Sequence, residues 1–201
     1  MTPLIDPSAL VRLQDECVAR WHREPVDNPE QHPLLCVAME NHAFNYRLWH
    51  EEDEARDPKA DDATIAGVKR RIDKLNQQRN DAMERLDEAI LSQLPQQGTG
   101  DDTRLPLNSE TVGSVCDRLS ILSLKLFHMR EQTERQDASQ AHREGCEAKL
   151  AVLRVQQADL AACLGELLTD LQAGRKRFRV YRQMKMYNDP TLNPALYGRK
   201  A

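Results

Sequence analysis

Two long stretches of this chain repeat apolar residues three and four apart, and that alternation limits what it can fold into. Val112, Val115, Leu119, Leu122, Leu126 and Met129 form one series; Leu150, Leu153, Leu160, Leu164, Leu167 and Leu171 form another, with Gln157 at a seam position. A helix turning about 100° per residue gathers such side chains into one stripe, which must be buried against another helix. Val and Ile never alternate in a run, so strands have no support. The expected fold is all-α: an antiparallel helical bundle of about five long helices, crossing at shallow angles like a coiled coil, plus a short C-terminal helix and tail. Only 8 Gly among 201 residues, with 4% aromatics and 30% charged residues, agrees with helix over sheet.

Start and stop signals place the helices. Asp6-Pro7 opens the first, which runs to about Trp21 and is closed by Pro25. The second spans about Pro33 to Arg56 and ends at Asp57-Pro58; the third spans about Asp61 to Leu94 and stops at Pro95. QQGTGDDTRLPL, inside a loop over 95–108, divides the chain into two helical hairpins. Asn108 or Ser109 starts the fourth helix, which lasts to about Arg135, and the fifth covers about Ala138 to Leu171 before Gly174. A short helical stretch is expected before Asn188-Asp189-Pro190. These limits give a single helical-bundle domain over 1–187 and an extended tail over 188–201.

Composition excludes several classes of function. A net charge of −4 argues against a binder of duplex nucleic acid. No segment reaches about 18 apolar residues and MTPLIDPSAL is no signal peptide, so no membrane span and a cytoplasmic location are expected. Cys17, Cys36, Cys116, Cys146 and Cys163 are odd in number and form no C-x-x-C pair; they are read as small core hydrophobes.

The chemistry lies in two polar stripes. On the third helix Lys69, Asn76, Arg79, Asn80 and Asp87 share a face with Ile65, Ile72, Met83, Ile90 and Leu94. Fixed charge on a core face needs compensation, because a buried unpaired ion costs several kcal/mol. On the second helix His42, Asn45, Trp49, Glu52, Asp53 and Arg56 follow the i, i+3, i+4 rule. The bland reading is a buried hydrogen-bond network, with Arg56 paired to Glu52 or Asp87. The sharper one is a polar ligand pocket between the second, third and fourth helices. The antiparallel hairpin then brings His42 and Asn45 to Asn76, Arg79 and Asn80. On the fourth helix a second patch, Ile121 with Leu124, carries Asp117 and His128 and marks a helix touched from both sides.

Other site chemistries find less support. His42, His50 and His128 have no neighbour at metal-ligand spacing, so no metal ligands are assigned and no cofactor is specified. Ser120 near Asp117 lacks a local His. GRKRFRVYRQMK places Arg175, Lys176, Arg177, Arg179, Arg182 and Lys185 together without an acid; a basic face of Arg179, Arg182 and Lys185, if helical, would close over an anion. Neutralisation of the chain's own carboxylates is the plainer reading.

The motifs Arg79-Asn80-Asp81 and Asp117-Arg118-Leu119-Ser120-Ile121, with the segments IDKLNQQRNDAMERLDEAI, LWHEEDEAR and YRQMKMYNDPTLNPALY, resemble an uncharacterised bacterial family, domain of unknown function 4254. The resemblance covers nearly the whole chain. It implies no catalytic residue and adds Asp81, Arg118 and Ser120 to the candidate ligand-binding set. Spacing offers one enzymatic alternative, since Glu51-x-x-Glu54 and Glu84-x-x-Asp87 fit the carboxylate pattern of Mg²⁺-dependent all-α nucleotide pyrophosphohydrolases. Helical phase, however, points Glu51 and Glu54 to solvent and Glu52 and Asp53 inward. The leading expectation is a small anionic ligand, phosphorylated or nucleotide-sugar-like, bound by His42, Asn45, Trp49, Glu52, Asp53, Arg56, Asn76, Arg79, Asn80, Asp81, Asp87, Asp117, Arg118 and Ser120. The rival is a non-catalytic scaffold whose seams hold a partner helix or form a homodimer.

Overall fold

The computed structural model describes residues 4–28, 30–94, 104–184, 186 and 189–198. Five long helices and one short one follow in order: α1 (Pro7–Trp21), α2 (Pro33–Glu54), α3 (Asp62–Leu91), α4 (Val112–Glu134), α5 (Gln140–Gln172) and α6 (Pro194–Tyr197). The starts obey local chemistry. Asp6 accepts from the Ser8 amide ahead of Pro7, Asp61 from Thr64 and Ser139 from His142, each satisfying an N–H that the helix leaves unpaired. Gly174, at φ 64°, supplies the left-handed turn after α5. The loop expected over 95–108 lies outside the described residues as far as residue 103.

α2 and α3 pack as one hairpin and α4 and α5 as the other, with α1 laid across α4 and α5. α2 and α4 meet at the centre, and each is buried on more than one side. The main core joins Leu10, Leu34, Leu86, Ile90, Leu119, Leu164, Leu168 and Phe178; a second cluster gathers Trp21, Met39, Tyr46 and Leu124; a third holds Leu48, Val68 and Ile72.

Four local expectations are corrected. α4 starts at Val112, because the Asn108 amide bonds Arg177 in a single parallel bridge (Leu107 with Arg177) and Thr111 forms a capping box with Ser114. Residues 178–184 are not helical, and the short helix sits after Pro190, inside the tail expected to be extended. The Arg179, Arg182 and Lys185 face therefore does not form: Arg182 instead pairs with Glu84 and Glu88 of α3, and Lys185 lies outside the described residues. Cys17, Cys116 and Cys146 are buried, but Cys163 is exposed.

The inward face of α3 also departs from a fixed stripe. Ile65 and Lys69 are exposed, while Val68, Ile72, Ala82, Leu86, Asp87 and Ile90 face the core. A straight helix drifts about 20° per heptad against a supercoiling partner, so over 30 residues one angular window cannot stay in contact.

Candidate functional site

The centre of the bundle is a polar network built on Asp117 of α4. Its Oδ1 accepts from Arg79 Nε at 2.7 Å, Asn45 Nδ2 at 2.9 Å and Asn41 Nδ2 at 3.0 Å, and its Oδ2 from the other arm of the Arg79 guanidinium. Hydrogen bonding to Asp117 raises the Arg79 pKa further, so the guanidinium stays charged. Asn41 also donates to the Arg79 carbonyl at 3.3 Å.

From Asn45 the chain of bonds has a direction. Asn45 donates to Ser120 Oγ at 3.0 Å, and Ser120 Oγ lies 2.7 Å from His42 Nδ1. His42 Nε2 lies 3.0 Å from the Gln14 carbonyl, which can only accept, so Nε2 carries the proton and Ser120 donates to Nδ1. Burial pushes the His42 pKa down to about 3, leaving the imidazole neutral. The spatial partner that Ser120 lacks in sequence is thus His42. Both are wholly buried, which makes this a structural pair and no accessible nucleophile.

Above this floor a cleft of about 400 Å³ opens between α2, α3 and α4. Asn45, Asn76 and Arg79 form its base, Leu48, Trp49, Ile121 and Leu124 its apolar walls, and Glu52, Asp53 and Arg56 its rim. Arg56, just past the end of α2, binds Glu52 at 2.6 Å. Asp53 is exposed, 3.8 Å from His50 Nδ1. A larger depression of about 750 Å³ between α1 and α5 has Asp170 as a charged wall, already paired with Arg175 and Lys176.

The remaining expected site residues lie elsewhere. Asn80 and Asp87 line a smaller pocket of about 140 Å³ with Ser109, Thr111 and Tyr181. There Asp87 accepts from the Gly113 amide at 2.7 Å and from Thr111, and burial raises its pKa to about 6. Gly113 permits this contact, because a Cβ at that position would stand 2.5 Å from the Met83 carbonyl oxygen. Asp81 is exposed and accepts from Gln77, and Arg118 is exposed and paired with Glu110.

The solvent phase assigned to Glu51 is overturned, while Glu52 and Asp53 line the cleft and Glu54 is exposed. Glu51 and Glu54 do not face solvent alone: Arg71 of α3 reaches across the hairpin to Glu51 at 2.7 Å and Glu54 at 2.8 Å. Glu84 in turn accepts from Arg182 and the Gln183 amide. Each acid of the pyrophosphohydrolase-like pattern is held by a protein donor. Among the described residues, no group of three or more His, Cys, Asp or Glu side chains stands ready to hold a metal ion.

Asn41 and Gln14 were missed. Asn41 was legible, since it lies one turn before Asn45 on the face of α2 that turns inward. Gln14 was not, because a single Gln on an amphipathic helix gives no sign of being fully buried.

With this geometry in view, the chain belongs to the family described as Protein of unknown function (DUF4254), whose sequence model matches residues 36–180. That span begins inside α2, covers the whole Asp117 network except Gln14, and ends after Phe178. No curated protein and no solved structure matches the chain. Among the described residues no helix is long and apolar enough to cross a membrane.

Proposed function

We propose that this protein binds a small anionic ligand of the phosphorylated or nucleotide-sugar type in the cleft between α2, α3 and α4. One observation carries the reading: polar groups from two helices and an indole converge on a single concave space with a rigid, hydrogen-bonded floor. Charge decides how such a ligand would lie. Arg79 is committed to buried Asp117, whereas Arg56 has only an exposed partner one turn away, so a phosphate exchanges with Glu52 for Arg56 at the rim. A base or sugar ring then rests against Trp49, and hydroxyls reach Asn76 and Asp53. Thermal-shift measurements against nucleotides, nucleotide sugars and sugar phosphates test this. A response should disappear in Trp49→Ala and Asn76→Ala, while Arg56→Gln should lose the preference for phosphorylated over unphosphorylated ligands. Silence towards all three classes would sink the reading.

A second reading, a non-catalytic scaffold, is favoured by one observation: Asp117, Asn45, Ser120 and His42 bind one another and need no ligand to complete them. It predicts a cleft indifferent to small molecules and a network that fixes helix register.

A further inference from the structure

A groove of about 560 Å³ runs between α4 and α5, with Trp49 of α2 as a further wall. Its surface is mostly hydrocarbon: Met129 of α4 and Val152 and Leu153 of α5 line it beside the indole. Val152 is 56% exposed there, an apolar side chain that the bundle itself leaves uncovered. Trp49 is held in place by stacking on His128, with centroids 4.7 Å apart and planes inclined by 8°. Past Lys125 and Gln156 the groove continues into a depression of about 450 Å³ lined by Ile121, Leu122 and Leu160. At about 1.5 Å per residue, α5 advances roughly 16 Å from Lys149 to Leu160, so the joined space is long enough for an extended chain.

Charge is sorted around this groove. Lys125 and Lys149 stand on it and no carboxylate lines it, although the chain has 32 acidic residues and a net charge of −4. The cleft, by contrast, has Glu52 and Asp53 on its rim, and the depression between α1 and α5 has Glu166 and Asp170. Both lysines are exposed, and among the described residues neither has an ion pair or a hydrogen bond. Glu131, one turn beyond His128 on α4, accepts from its Nδ1 at 2.8 Å and does not line the groove. The acid of the continuing depression is Asp159, at the end away from Lys149. A cationic rim over an apolar floor is the outcome, and a lysine suits such a rim because its stem tolerates hydrocarbon while its ammonium stays in water.

We propose that the α4–α5 groove binds a dissolved single-chain amphiphile with an anionic head group. The chain lies on Met129, Val152, Leu153 and Trp49, and the head pairs with Lys125 and Lys149. Each part of the lining selects one part of the ligand. An uncharged apolar molecule would leave both ammonium groups unused, a small anion would leave the hydrocarbon floor in water, and a cationic amphiphile would meet two like charges. The volume lies within the range of small-molecule sites. Asp159 sets the polarity, since it repels an anionic head at the far end and leaves that end to the chain, beside Leu122 and Leu160. The site is distinct from the cleft between α2, α3 and α4: Trp49 borders both, but Arg56, Asn76 and Arg79 take no part in the groove.

Calorimetric titration of the full chain with octyl, decyl and dodecyl phosphate, each below its micelle concentration, tests this. One molecule should bind per chain with a negative heat-capacity change, and each added methylene should tighten binding about twofold, half the roughly fourfold effect of complete burial because one side of the groove is open. Decanoate should bind in the same way, whereas ethyl phosphate and decyltrimethylammonium should not. Val152→Gln should weaken decyl phosphate about fivefold or more, and Val155→Gln, exposed on the same helix but outside the groove, should leave it unchanged. Lys125→Gln with Lys149→Gln should weaken decyl phosphate about threefold or more and leave uncharged decyl glucoside unaffected. All four positions are exposed, and far-UV circular dichroism checks that the helices persist. Affinity independent of chain length overturns the proposal, as does equal loss in Val152→Gln and Val155→Gln. Binding abolished by Arg56→Gln but kept in Val152→Gln would move the amphiphile to the cleft and overturn it too. So would binding to anionic phospholipid vesicles without binding of monomeric decyl phosphate, or a dimer in sedimentation equilibrium that Val152→Gln dissolves.

Discussion

At the scale of single residues, two buried titratable groups pull stability in opposite directions with pH. The folded-state pKa of His42, about 3, lies below the roughly 6.5 of an unfolded histidine, so the unfolded chain binds the extra proton between those values. Its contribution is full above about pH 6.5 and is lost as pH falls, at no more than about 1.4 kcal/mol per pH unit. Asp87 has the reverse sign. Its folded pKa of about 6 lies above the unfolded value of roughly 3.9, so its contribution is present below about pH 4 and is lost as pH rises through 6. Between pH 4 and 6 the two oppose each other. Urea denaturation midpoints across pH 4–7 should therefore fall more steeply on acidification in Asp87→Asn than in the wild type, and less steeply in His42→Gln. Parallel curves for all three proteins would refute the assignment.

At the scale of helices, the α3–α4 contact depends on one missing side chain. Gly113 lets the start of α4 sit against Met83 and Asp87, and its amide uses that proximity to bond Asp87. Gly113→Ala would place a methyl group 2.5 Å from a backbone oxygen that cannot rotate away. It should destabilise the fold by about 1–3 kcal/mol despite alanine's better helix propensity, as read by urea denaturation. A neutral result would mean that the two helices separate freely. The same element scale shows what the sequence could and could not reveal. Apolar spacing and Asp-Pro, Ser and Gly signals were enough for the five helices, because each depends on neighbours in sequence. The cleft residues of α2 and α3 were legible because a short hairpin leaves little freedom of register. Glu51 and Arg71 were not, since side-chain phase near a helix end depends on the crossing angle.

At the scale of the whole molecule, residues beyond α5 belong to the core. Phe178 is fully buried, and around it Arg177 bonds the carbonyls of Leu105 and Pro106 while Asn108 bonds Arg177 in return. Phe178→Ala should cost about 3–5 kcal/mol, a large part of a typical domain's stability, and chemical denaturation measures it. A loss below about 1 kcal/mol would show that the arm after α5 merely rests on the bundle.

The position of Phe178 also constrains the order in which the fold can be completed. The α2–α3 hairpin needs only nearby partners and can form early, but the main core joins Ile5 and Leu10 to Phe178 across almost the whole described chain. Such distant contacts are slow to close. During synthesis the leucines of α4 and α5 are made before the residue that seals them, so the nascent bundle keeps an open apolar seam until Phe178 emerges. Until the arm carrying Phe178 docks, that seam is open to other unfolded chains.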